Sequence, residues 1–207
     1  MNLKPEELEE NGYVLLDRMN HQDIKPFVKI FLNKRTWFSF FYYSMLVVCL
    51  FVLLFICIRL HHLYNYPFNK MLGQVFFGIL LFLALIPVHE FIHVLAYKLA
   101  GAKQTSYDVN LKKFYFLAIA DKFVTSESEF KIVALAPFLV ITGVLLAIPF
   151  LSGDLWKVSI FTALLTHSIG CSGDFALLSY FEFNKEKQVV TYDDKENNVT
   201  FFYGREK

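Results

Sequence analysis

Long apolar runs alternate with polar stretches along this chain, and the runs are too long for strands. Four of them, at about 37–58, 71–99, 132–151 and 155–181, approach or exceed the roughly twenty residues a helix needs to cross a bilayer core of about 30 Å. The first is free of charge between Lys34–Arg35 and Arg59, the second is interrupted by His89, Glu90 and His93, and the fourth contains His167 and Asp174. The pattern predicts an all-α integral membrane protein with about four transmembrane helices and small cytoplasmic β elements. Three units follow: an N-terminal segment over 1–36, a four-span unit over 37–183 and a C-terminal tail over 184–207. The N-terminal segment opens with Glu6, Glu7, Glu9 and Glu10 and lacks the basic start and apolar core of a signal peptide, so it is expected to be retained.

Between the second and third spans, the loop 101–130 changes period. Thr105, Tyr107, Val109 and Leu111 recur at every second position, and Phe114 to Ala120 form a β-prone aromatic run. One or two strands at the membrane surface are expected. The tail carries Val189 to Tyr192 and Val199 to Tyr203 around a polar turn, which predicts a hairpin.

Composition sharpens the class. The chain of 207 residues is 56% hydrophobic and 19% charged, with mean hydropathy +0.43. A soluble domain has about 25% charged residues, so the excess marks a membrane protein. A net charge of +1 gives no basic excess to argue for a nucleic-acid partner. With a cytoplasmic N-terminus, all of the Lys and Arg residues except Arg59, Lys70 and Lys157 fall on the inner side, so both termini are expected in the cytoplasm. Cys49, Cys57 and Cys171 lie in apolar runs and suggest no disulfide scaffold.

The chemical signal is His89-Glu90-Phe91-Ile92-His93. Positions i and i+4 lie on one helix face, so both imidazoles can reach one Zn²⁺, and the adjacent Glu90 can serve as general base toward a water. At membrane depth such groups cost several kcal/mol unless paired or bound to a metal. Lys98 stands about 13 Å further along the helix, close enough to the surface to snorkel while His89 stays inside. A third protein ligand must come from elsewhere, and His167, Cys171 and Asp174 share a face at helical spacing, with Gly170 and Gly173 allowing close approach of a neighbouring helix. Asp174 is preferred, with His167 supporting a ligand or donating to the transition state and Cys171 packing. Pro87 and Pro137 are each expected to kink a span and free a carbonyl. His21, His61 and His62 are expected to be solvated, and Glu182 to sit at the interface ending the fourth span.

The motif in a span, the β-prone loop, Ala134-Leu135-Ala136-Pro137-Phe138 and Gly170-Cys171-Ser172-Gly173-Asp174 together resemble a bacterial zincin-peptidase family of unknown function over about residues 70–183. More distantly, the chain is similar to site-2-type intramembrane zinc metalloproteases. The resemblance implies an endopeptidase of the bacterial plasma membrane that acts on a membrane protein or peptide, with His89, His93 and Asp174 holding one Zn²⁺ and Glu90 as catalytic base. It also implies a strand that binds substrate by addition, for which Tyr107, Val109 and Leu111 are candidates. The order Gly173-Asp174-Phe175 departs from the Asp-Gly of site-2 proteases. Two competitors remain: a non-catalytic, metal-stabilised membrane scaffold, and a metallohydrolase acting on a non-peptide bond.

Overall fold

The computed structural model describes residues 3–110, 112, 115–152 and 156–207. A first strand, β1 (Val14–Asn20), and a short amphipathic helix, α1 (Ile24–Leu32), precede two long helices, α2 (Trp37–Tyr64) and α3 (Phe68–Leu99). The hairpin β2 (Thr105–Asn110) and β3 (Tyr115–Ala120) and a short β4 (Thr125–Ser126) lead to α4 (Glu127–Ser152). After α5 (Lys157–Gly170) and α6 (Ser172–Phe183), the strands β5 (Lys187–Asp194) and β6 (Val199–Glu206) close the chain.

Among the described residues, three helices are long and apolar enough to cross a membrane: α2, α3 and α4 over Glu127–Pro149. α3 has 32 residues, about 48 Å at 1.5 Å per residue, which exceeds a bilayer core. Its outer face, like that of α2, is apolar: Phe51, Phe55, Phe76 and Leu80 are exposed. The stretch expected as a fourth span is not one straight helix. α5 and α6 meet at a 43° bend at Cys171 and pass the same test only as a broken pair.

Glycine decides where α3 meets α5. A Cβ on Gly78 would lie 2.5 Å from the Ser159 carbonyl oxygen and 2.6 Å from Thr162 Cβ, so the two backbones touch there only because position 78 has no side chain. Gly170 does the same against the Phe82 ring at 3.0 Å, whereas Gly173 faces nothing within 4 Å.

At one end of the helices the polar segments build a cap. β1, β6, β5 and β4 form an antiparallel four-stranded sheet in that order, while β2 and β3 pair separately, from Thr105 opposite Ala120 to Asn110 opposite Tyr115. The hairpin expected in the tail is β5–β6, its turn ending on Asn198 at φ 53°, a left-handed value asparagine tolerates. Sequence reading took the N-terminal segment only as polar, yet it supplies an edge strand to this sheet. An aromatic cluster bolts the cap to the helices. Tyr180 of α6 lies 4.3 Å from the Phe202 ring of β6 and 4.8 Å from the Phe31 ring of α1, and Phe27 stacks on Phe202 at 5.7 Å. Such pairs add about 0.5–1.5 kcal/mol each beyond area burial.

Glu182 does more than mark an interface. Its carboxylate accepts the backbone N–H groups of Trp37 at 2.8 Å and Phe38 at 3.1 Å, two of the unpaired amides that open α2. Thr36 caps the same turn by accepting from the Ser39 amide. The end of α6 is thereby fixed to the start of α2.

A candidate metal centre between α3, α4 and α6

His89 and His93 lie one turn apart on α3, and their Nε2 atoms stand 3.1 Å from each other. The first turn of α6 brings in Asp174, with Oδ1 3.2 Å from His93 Nε2 and Oδ2 3.3 Å from His89 Nε2. These side chains are each only 10–15% exposed. Two bonds of about 2.0 Å in tetrahedral geometry set ligand atoms about 3.3 Å apart, so the three edges fit one zinc-sized ion.

The tautomers fit as well. His93 Nδ1 lies 3.0 Å from the Val133 carbonyl of α4 and must donate its proton there, which leaves a lone pair on Nε2. That carbonyl is available because its helical partner would be the N–H of residue 137, and residue 137 is proline. The carbonyl freed by Pro137 thus orients a ligand imidazole. Pro87 similarly leaves the Leu83 carbonyl without an N–H to receive, and Leu83 lines the cavity described below. His89 Nδ1 faces His167 Nε2 at 3.2 Å and can donate to it, which again leaves Nε2 as a lone pair. Two imidazole lone pairs then face one carboxylate with no proton between them. That donor set calls for a cation.

Glu90 is next to this cluster and half-buried, and it lines the same cavity as Ala118 of β3. His89, Glu90, His93, His167 and Asp174 all line one cavity of about 530 Å³, within the range of small-ligand and peptide sites. The cavity runs from the helices to the cap. Its lining includes Lys25 and Lys29 of α1, which the sequence pattern did not single out.

Of the proposed strand residues, Tyr107 and Val109 stand exposed on β2 and Leu111 lies outside the described residues. The cavity is lined instead by Phe116, Leu117, Ala118 and Ile119 of β3, the other strand of that hairpin. His61 and His62 are exposed as expected, but His21 is corrected: it is 1% exposed. Its Nδ1 lies 3.0 Å from Asp108 of β2 and its Nε2 3.3 Å from the Thr200 hydroxyl, which donates at 2.7 Å to Asp193. Burial pushes the Asp193 carboxyl up, against the opposing pull of Thr200 and His21. This polar chain joins the N-terminal turn, the β2–β3 hairpin and the C-terminal sheet, and His21, Asp193 and Thr200 of it line the cavity. Burial of His21 was not legible in a polar loop, because segments far apart in sequence enclose it.

No curated protein and no solved structure matches the chain. Residues 82–189 match the model of a family described as "Putative zincin peptidase", and this stretch takes in His89, Glu90, His93 and Asp174. The match covers more than half of the chain, which therefore belongs to that zincin peptidase family.

Proposed function

We propose that this protein is a zinc-dependent endopeptidase embedded in a bacterial plasma membrane, cleaving a membrane protein or peptide near the cytoplasmic face. In this reading the pair α5–α6 acts as a fourth, broken span and both termini lie in the cytoplasm with the β cap. The observation that carries the proposal is the convergence of His89, His93 and Asp174 beside Glu90 in the wall of one cavity. His89 Nε2, His93 Nε2 and the Asp174 carboxylate would hold one Zn²⁺. When bound, the ion lowers the pKa of a water toward neutrality and polarises the scissile carbonyl.

The remaining work belongs to the side chains. Glu90 takes a proton from the attacking water as the new C–O bond forms, and returns it to the leaving amine nitrogen as the C–N bond breaks. His167 holds His89 in the ligating tautomer through the 3.2 Å contact. The walls of β3 and α1 accept an extended segment of substrate and exclude bulk water. A scaffold that only uses the metal for stability has no need of a carboxylate at position 90, which favours the peptidase reading over that competitor.

Metal removal provides the test. The purified protein in vesicles is incubated with tagged membrane peptides, and new termini are read by mass spectrometry. Cleavage is expected to stop on chelation and to return with Zn²⁺. Cleavage that continues in the chelated protein overturns the proposal.

A further inference from the structure

The imidazole of His89 has two faces, and the hydrolytic cluster uses only one of them. On the other, His89 and His167 each bring a ring nitrogen, and Cys171 its Sγ, to within 4.8 Å of one another. The His89 to His167 edge is 3.2 Å and the His167 to Cys171 edge 3.8 Å. Bonds of about 2.0 Å to nitrogen and 2.3 Å to sulfur set N and S about 3.5 Å apart in tetrahedral and about 3.7 Å apart in trigonal geometry around one ion, close to the second edge. Cys171 is fully buried and His167 is 1% exposed. His167 Nδ1 has no partner among the described residues, so the polar contacts of the ring are made through Nε2, toward this corner. The 43° bend between α5 and α6 falls at Cys171 and sets this thiol at the same corner as the two rings.

We infer that His89, His167 and Cys171 form a second metal seat, selective for soft, thiolate-preferring ions such as monovalent copper, which cannot be filled together with the hydrolytic seat. Selectivity follows from the donors. A thiolate with two imidazoles suits soft ions, whereas two imidazoles with a carboxylate suit a water-activating zinc. Exclusion follows because a neutral His89 ring offers one lone pair at a time, and filling both seats would require it to lose its remaining proton and bridge two cations as an imidazolate. For the hydrolytic seat the proton sits on Nδ1 and goes to His167; for the second seat it moves to Nε2, where Asp174 Oδ2 at 3.3 Å accepts it. The Cys171 thiol releases its proton to solvent on binding. A soft ion in the second seat thus removes one imidazole from the hydrolytic set. The exclusion rests on the ligand assignment under Proposed function, but the seat itself does not.

Cd²⁺ serves as the probe, because a thiolate–cadmium bond gives a charge-transfer band in the ultraviolet. The zinc-loaded full chain in detergent is titrated with Cd²⁺ while band intensity and total metal per chain are measured, with monodispersity and helical circular dichroism as folding controls. The wild type and the Cys49→Ser/Cys57→Ser variant are expected to develop the same band, and Cys171→Ser and His167→Asn to lose it. Asp174→Asn is expected to keep it. Zinc should leave as cadmium enters, with total metal constant. A wild type without the band, a band that survives Cys171→Ser, or a band lost in Asp174→Asn overturns the seat. A second ion bound without zinc release overturns the exclusion. Absence of peptide cleavage would refute the peptidase reading and leave the band unaffected, so the two failures are distinguishable.

Discussion

α2 and α3 are similar helices from the outside and different ones within. Both are long, both show apolar faces, and each is largely exposed along its most apolar stretch. α2 meets its neighbours mainly through packing and through the Glu182 cap at its first turn. α3 adds Gly78, which lets α5 approach, and a last third in which His93, Val94, Ala96 and Tyr97 are buried against other elements. Apolar length therefore qualifies a helix for the membrane without saying what it does there. The role is set by the few positions that break the apolar pattern.

Substitutions at those positions sharpen the contrast. Glu90→Gln keeps the ligands and removes the base, so hydrolysis should fall about 10²-fold or more with zinc content unchanged, as read by peptide cleavage and metal analysis in parallel. The equally small change Cys57→Ser on α2 should leave both intact. Pro137→Ala restores an N–H at position 137 that competes for the Val133 carbonyl. His93 then loses its orienting acceptor, and zinc affinity measured by competition with a chelating dye should weaken about 10–100-fold.

Two smaller effects concern packing. Gly78→Ala places a methyl group against the Ser159 carbonyl and should cost about 1–3 kcal/mol, seen as a lower melting temperature in detergent. Gly73→Ala, on the same helix with nothing within 4 Å, should leave melting unchanged or raise it slightly. Glu182→Ala uncaps α2 and should cost about 0.5–2 kcal/mol with zinc content retained. Zinc loss in Glu182→Ala would mean that the α6–α2 link also holds Asp174 in place.

Legibility in the sequence follows the range of the interaction. His89, Glu90 and His93 share a face through helical periodicity alone, and Pro137 announces a free carbonyl by its chemistry, so both could be read locally. The partner of that carbonyl could not, because His93 reaches it across 40 residues of chain. The same limit hid the pairing of β1 with β6, the close approach at Gly78 and the burial of His21. Strand character in 101–130 was visible as alternation, but the pairing of β2 with β3 and the choice of strand lining the cavity are decided by how the hairpin lies on α3, and alternation carries no such information. A run of apolar residues also cannot register a 43° bend, since Gly170 and Cys171 are as apolar as their neighbours.

The account stands on the cross-helix set formed by α3 and α6. Zinc per chain, measured by elemental analysis of the purified wild type beside Asp174→Ala, tests it most directly. About one zinc per chain in the wild type and its loss in a folded Asp174→Ala is the expected result; full zinc content in Asp174→Ala would contradict the assignment of Asp174 to the metal.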